Sequence, residues 1–380
     1  VSEGSDPLEV APRPGRGYFC PGPSRPSGGP RTPARREWTY ARSGVDRSRV
    51  SSALAELLRG ARYRPPSSHG RPVDLPGHFA GLVRIGRETL ALTTDTVGTK
   101  VLLAQQVGRW EEVGEDIVAV NVNDLAAVGA RPAALVDTIL CDEPRPEVFR
   151  AIGRGLGRGL KQAQCALLGG ETAVVPDMVH GIDLGATAMG FFPRGRAPIS
   201  GSGIRPGDLI LGIPSRGPHA NGFTLVRRLL DSAAVDLAAP RAGGKGPVGR
   251  ELLVPTRIYT RAVDAIAGDP GIRGLAHLSG GGVRNLVRLR PDVSFVLDRW
   301  PAVSGLFRWL QGLGSLSDSE MFQTFNMGVG FALVVRPERA PAIARALARA
   351  GARDAVPVGH VERGSGVTLP ELGLRYDGYS

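Results

Sequence analysis

The chain has 380 residues, enough for two domains, and 42% of them are apolar, as in a globular protein with substantial cores. No run of about 18 apolar residues marks a membrane span, and the start lacks the apolar stretch of a secretory signal, so a soluble, cytoplasmic protein is expected. The net charge of +11 comes mostly from Arg spread along the whole length, with no zinc-finger pattern, aromatic RNA-binding signature or compact basic run; this excludes nucleic-acid and membrane partners and suits a phosphorylated small molecule.

Residues 1–37 are rich in Pro, Gly, Ser and Arg and cannot bury enough apolar surface to offset their ordering entropy, so a disordered tail is expected. Periodicity begins at Trp38. Ser48–Leu58 reads as a short helix, and the Pro-rich stretch after Tyr63 as a loop. Glu88–Thr94 alternates as a strand does. A helix over Glu115–Val128 ends at Gly129, followed by a strand at Pro132–Ile139 and a helix over Glu147–Gln164. Strands fit Ala166–Gly169 and Ile182–Phe192. The sequence PRGRAPISGSGIRPGD then breaks all periodicity and separates a first domain, 38–193, from a second, 194–380.

The second domain reads as strand Leu209–Ile213, helices Gly222–Leu230, Pro255–Ala267 and Val283–Val287, strand Val293–Leu297, helix Ala302–Leu313, strand Val329–Val335 and helix Pro341–Ala350. Strands alternating with helices argue for an α/β or α+β architecture in each half. Gly153, Gly155, Gly157 and Gly159 superficially suit a dinucleotide loop. They fall inside a helical pattern of Phe149, Ile152, Leu156 and Leu160, so the strand-to-helix context of a Rossmann fingerprint is missing, and no Walker A sequence occurs. Cys20, Cys141 and Cys165 are scattered, and no His pair has metal-ligand spacing, so neither a disulfide framework nor a zinc site is indicated.

Three acidic segments carry the chemistry. On the helix around Asp124, that residue shares a face with Ile117, Val120, Asn121 and Val128; a carboxylate so placed needs a salt bridge, a cap or a metal. In LALTTDTVGTK, Asp95 ends a strand and is followed by the Gly98-Thr99-Lys100 turn, an order that suits Mg²⁺ and phosphate. In LLGGETAVVPD, Glu171 follows Gly169-Gly170, where a carboxylate can approach a metal or a substrate donor closely. Oxygen ligands match a hard cation. In the second half, Ser215–Asn221 and Ser279–Gly282 each precede a helix and could cradle an anion. His219 fits a proton carrier, an anion donor or a capping histidine, and His277 fits packing as well as substrate contact.

Taken in order, these segments resemble the phosphoribosylformylglycinamidine cyclo-ligase (AIR synthetase, PurM) family. The resemblance runs from Tyr40-Ala-Arg-Ser-Gly-Val-Asp46 to about His360 and includes TTDTVGTK, VNDLAAVGARP, LLGGETAVVPDM, GPHANGFTLVR, PTRIY, AHLSGGG and MFQTFNMGVG. It implies a PurM-like α+β fold of two αβ domains, an amino-terminal ATP-binding domain whose sheet forms a shared barrel in a homodimer and a carboxy-terminal substrate-binding sandwich. It implies ATP-driven closure of the imidazole ring of aminoimidazole ribonucleotide from formylglycinamidine ribonucleotide, giving ADP and phosphate. Carried onto this chain, Asp95 and Asp124 would hold Mg²⁺–ATP, with Glu171 a third metal or substrate carboxylate beside Gly170 and Thr172. Thr99, Lys100 and Asn123 would lie against the phosphates. His219 and Asn221 would line the substrate cleft, with Ser279, Gly280, Gly281, Gly282 and Asn326 opposite, and His219, Lys100 and Glu171 would be the catalytic groups.

The chain departs from the family pattern at Thr96, Ala220 and Phe223, where glycine, serine and tyrosine are usual. Its glycine-rich loop is replaced by RYRPPSSHGRPVDLPGHFAGLV, in which Gly77–Gly81 could substitute. Thiamine-monophosphate kinases and selenophosphate synthetases of the same superfamily would share the acids but not GPHANGFTLVR with PTRIY and TFNMGVG. A non-catalytic, Arg-rich nucleic-acid scaffold would have no need of buried acids.

Overall fold

Two β-sheets organise the chain, one from each half, in a computed structural model that describes residues 38–61, 63, 66, 68–75 and 77–379. The expected disordered tail, 1–37, lies outside the described residues. The first half runs α1 (Arg47–Gly60), β1 (Arg71–Val73), β2 (Gly81–Ile85), β3 (Glu88–Thr96), α2 (Lys100–Val107), α3 (Glu111–Ala127), β4 (Arg131–Cys141), α4 (Pro146–Ala163), β5 (Ala166–Val174) and β6 (Ile182–Phe191). Its sheet has the order β1-β2-β3-β6-β4-β5. Only β4 and β5 run parallel, as a strand pair joined through a crossover helix must.

Burial alternates along β6, and the sheet has one covered and one open face. Ala91, Leu135, Ile139, Ala186 and Ala188 are buried on the face that carries α3, while Leu92, Val136 and Phe191 point from the other face and stay exposed. The helix α4 confirms that its glycines are not a nucleotide loop. They let it approach α3: a Cβ at Gly155 would stand 1.9 Å from the Glu111 carbonyl oxygen, and one at Gly114 would stand 2.2 Å from that of Ile152.

The second half runs β7 (Leu209–Pro214), α5 (Phe223–Ser232), α6 (Val248–Leu252), α7 (Thr260–Asp264), β8 (Ile272–His277), β9 (Val293–Val296), α8 (Gly305–Gly314), α9 (Asp318–Thr324), β10 (Val329–Val335), α10 (Ala340–Arg349), β11 (Val356–Arg363), β12 (Val367–Leu369) and β13 (Leu374–Tyr376). The sheet order is β13-β12-β9-β11-β7-β10-β8, with β10 buried along its whole length. The architecture is α+β, as expected. No helix among the described residues is long and apolar enough to cross a membrane.

Two expected helices differ. The helix read over Pro255–Ala267 shrinks to α7, because the Thr256 and Tyr259 amides donate to the side chains of Asp116 and Asn123 instead of to a helical ladder. The segment Val283–Val287 is the middle of a 3₁₀ turn over Gly282–Arg288. Helices α2, α6 and α9 and strands β1, β2, β8, β11, β12 and β13 carry no periodicity signal that was read from the sequence.

Candidate active site

The end of β3 and the middle of α3 bring two carboxylates together. Asp95 lies on the α3 side of the sheet, in one row with Ala186, Asp137 and Gly170. Burial, and then the charge of Asp124, raise its pKa from 3.8 to about 6, while a 2.7 Å hydrogen bond from the Thr96 amide acts the other way. Asp124 is half-buried and accepts from His277 Nδ1 at 2.8 Å through Oδ1. This pairing occupies one carboxylate oxygen and sets a proton on Nδ1 of His277. Its Nε2 is buried and has no partner among the described residues.

Behind His277 stands His219, with ring centroids 5.9 Å apart. His219 is fully buried on the turn before α5, in a left-handed backbone conformation with φ 62°. Burial, and after it the charges of His277, Lys100 and Arg257, hold its pKa well below the ordinary imidazole range, so the ring is neutral. Tyr259 Oη donates to the Pro214 carbonyl and so accepts from His219 Nε2 at 3.3 Å. The remaining nitrogen, Nδ1, is therefore an unpartnered acceptor. The rings of His277 and of the neutral His219 thus stand behind a carboxylate pair.

The loops expected around this centre are present. Ser279 and Gly280 follow directly from His277, and a Cβ on Gly280 would stand 3.1 Å from Asn221 Oδ1, so the carboxamide of Asn221 faces the glycine loop. Gly281 and Gly282 have φ of 126° and 54°, and a Cβ on Gly282 would meet the Phe322 carbonyl at 2.0 Å, so this turn requires glycine. Asn326 lies beneath the loop. It is buried, accepts from Ser215 Oγ and the Gly328 amide, and donates to the Gly217 carbonyl, so it shapes the turn before His219 without lining the cleft.

Three residues expected against phosphate are turned to another task. Asn123 is buried, donating to the Arg257 carbonyl at 2.9 Å and accepting from the Tyr259 amide at 2.9 Å. The Thr99 hydroxyl meets that of Thr224 at 3.0 Å. Lys100 is fully buried, its ammonium committed to the Asp116 carboxylate and to the His219 and Val254 carbonyls. Each ties a first-half element to a second-half segment, a contact that the expectation of phosphate binding did not include.

Glu171 is also displaced from its expected place. It belongs to the row of Thr96, Gly185 and Thr138, one residue out of step with the row of Asp95, and so projects from the opposite face. Three strand spacings separate β5 from β3, about 14 Å. Asp95, Asp124 and Glu171 do not form one cluster in the chain, and among the described residues no three His, Cys, Asp or Glu side chains gather to hold a metal. Gly170 and Thr172 lie on the same exposed strand, where a Cβ on Gly170 would meet Asp137 Oδ1 at 2.4 Å.

The sequence matches the AIR synthase related protein N-terminal domain over residues 77–192 and the corresponding C-terminal domain over 205–370. It is 42% identical to the phosphoribosylformylglycinamidine cyclo-ligase of Methanothermobacter thermautotrophicus over 334 residues, 87% of this chain and 96% of that protein. To the enzyme of the same name from Thermococcus kodakarensis it is 44% identical over 303 residues, 79% of this chain and 89% of that one. The chain belongs to the cyclo-ligase family. Among solved structures, HypE of E. coli aligns with a TM-score of 0.58 at 21% identity, covering 76% of this chain and 84% of that one. AaThiL complexed with AMPPCP and TMP aligns with a TM-score of 0.59 at 17% identity, covering 87% and 95%. At those identities the likeness establishes the fold alone.

Other residues of the centre escaped the sequence reading. Asp116 and Tyr259 were missed because each looks like ordinary packing. Arg288 was missed because its partners are main-chain atoms far away in sequence: it donates to the Gly77 and His78 carbonyls at 2.7 and 2.8 Å and lies 4.0 Å from the centre of the Phe79 ring. It also stands 5.1 Å from the ring of Tyr379, whose hydroxyl donates to the Gly280 carbonyl. Gly77–Phe79, in the unusual amino-terminal loop, is thereby anchored beside the glycine turn.

Proposed function

We propose that this cleft carries out ATP-dependent ring closure of formylglycinamidine ribonucleotide to aminoimidazole ribonucleotide, with ADP and phosphate as co-products, in cytoplasmic de novo purine synthesis. The observation that carries it is the Asp95–Asp124 pair backed by the imidazoles of His277 and His219, in a chain of the cyclo-ligase family. The first half would hold ATP, and the second half the phosphoribosyl substrate at Ser279–Gly282 and Asn221.

The pair fits Mg²⁺. Two oxygen-donor side chains, set where burial and then their mutual repulsion raise Asp95 to about 6, offer the negative charge that a hard dication neutralises. Bound there with ATP, the ion would offset the charge of the phosphate groups. His277 leaves Asp124 one oxygen for that purpose. In the reaction the formyl oxygen takes the γ-phosphoryl group as the bond to ADP breaks; the amidine nitrogen then attacks the formyl carbon, loses a proton, and phosphate departs with the carbon–oxygen bond. His219 is suited to take that proton at Nδ1, its unpartnered nitrogen. Neutrality is what this role needs, since an imidazolium could accept nothing.

We further propose a homodimer through the outer face of the first sheet. Leu92 and Val136 are each 42% exposed there and Phe191 is 37% exposed, an apolar strip that a second copy would cover. Glu171, Gly170 and Thr172 would then belong to the shared interface. The decisive experiment supplies ATP, Mg²⁺ and formylglycinamidine ribonucleotide and measures the ring-closed product. Phosphorylation of thiamine monophosphate, without ring closure, would overturn the proposal.

A further inference from the structure

His219 occupies a left-handed backbone conformation, unfavourable for any residue with a side chain, so something must hold it. Its carbonyl oxygen accepts a 2.9 Å hydrogen bond from Lys100 Nζ. The same ammonium donates to the Val254 carbonyl at 3.0 Å and stands 2.6 Å from Asp116 Oδ2. Asp116 is held in turn, its Oδ1 accepting from the Thr256 amide at 2.8 Å and from the Thr256 hydroxyl at 2.6 Å. Lys100 and Asp116 are both fully buried. Two carbonyls and a carboxylate surround the ammonium, which has three protons to give.

On the far side the ring is confined by Gly330, where a Cβ would stand 2.4 Å from His219 Cε1 and 2.0 Å from Tyr259 Oη. Space for the imidazole therefore exists in one orientation, and the main chain that delivers it is fixed by Lys100. A buried ion pair is a weak source of stability, because desolvating both charges offsets their attraction. Its value here is directional: α2 and α3 grip two separate second-half segments, Pro218–Ala220 and Val254–Thr256, through one charge pair.

We infer that Lys100 is a positioning residue, which sets the His219 backbone so that its ring packs against both Tyr259 and His277, and that it is not a phosphate ligand. The inference rests on the proposed part of His219 in ring closure. Misplacing a reacting group by about 1 Å lowers turnover about 100-fold. Lys100→Met should therefore reduce kcat by roughly 10- to 100-fold and leave KM for ATP within about twofold. Because Lys100→Met leaves Asp116 charged and buried, the double variant Lys100→Met/Asp116→Leu is measured beside it and should fold yet show the same loss of kcat.

A rise of tenfold or more in KM for ATP with kcat retained would make Lys100 a phosphate ligand and overturn the inference. So would a double variant with the wild-type kcat. The His219 ring resonances, followed by NMR in the ligand-free double variant, read the placement directly: displaced shifts support the inference and unchanged shifts overturn it. His219→Ala separates the two claims. Full turnover in that variant would end the proposed proton role of His219, while the ring resonances still decide whether Lys100 positions it.

Discussion

Replacing Asp95 by Asn removes one charge from the cleft, and the ligand-free protein should become more stable for it. Burial and the neighbouring Asp124 raise the Asp95 pKa from 3.8 to about 6. A carboxyl group with a raised pKa binds its proton more tightly in the folded chain than in the unfolded one. Ionising it therefore weakens the fold, by an amount that grows between pH 3.8 and about 6 and is constant above. A shift of about two units corresponds to roughly 3 kcal/mol at 1.36 kcal/mol per unit. Asp95 keeps an open side to solvent, and screening there reduces the figure to about 1 kcal/mol. In a chain of 380 residues that is a rise in Tm of about 1 °C. Thermal melts of both proteins without ligand should show this gap at pH 8, and it should narrow by about half at pH 5, where native Asp95 is mostly protonated. Adding Mg²⁺ and a non-hydrolysable ATP analogue should reverse the order, raising the wild type above Asp95→Asn. A lower Tm for Asp95→Asn at pH 8 without ligand would refute the reasoning, since the carboxylate would then be stabilising.

Four further outcomes follow from packing and surface. Gly155→Ala puts a methyl group 1.9 Å from the Glu111 carbonyl and should cost about 1–3 kcal/mol or more in denaturant melts. Gly153→Ala, facing open space on the same helix, should instead gain up to about 1 kcal/mol. Val136→Arg, on the exposed sheet face, should shift the sedimentation coefficient from dimer to monomer while far-UV circular dichroism is unchanged. Arg288→Ala releases the Gly77 and His78 carbonyls, and limited proteolysis should cut within residues 77–80 several-fold faster than in the wild type.

Much of the first half was legible because its elements are long and obey one rule each. The alternation of Glu88–Thr94 and the helical pattern around Asp124 predicted both elements, while only the family resemblance set Asp95 beside Asp124. Lys100 and Asn123 were misplaced for a different reason. A Lys after a glycine turn, or an Asn beside an Asp, looks the same in sequence whether it meets a phosphate or a distant carbonyl; here the partners lie 119 and 134 residues away. Glu171 was misplaced by parity. In a strand one residue of register decides the face, and the bulge between Leu135 and Val136 sets that register against β4, which no local pattern in LLGGETAV reveals. The helix expected over Pro255–Ala267 failed likewise, because two side chains of α3 capture its first amides.

These misplacements have a common cause, and it bears on how the centre works. The ligand-free cleft holds several unfavourable features together: a carboxylate raised by its neighbour, a non-glycine residue at φ 62°, and two buried imidazole nitrogens without partners. Each costs stability alone and would be removed by selection for the fold. They persist because first-half side chains, Lys100 and Asn123, hold the second-half turns rigidly enough that relaxation is blocked. Residues that a motif assigns to ligand contact thus act one layer behind it, and the charge and donor groups of bound ATP, Mg²⁺ and substrate would relieve what the scaffold keeps strained. On that logic, variants that relax the cleft should raise stability and lower turnover together, whereas variants of the scaffold, such as Gly155→Ala, should lower both.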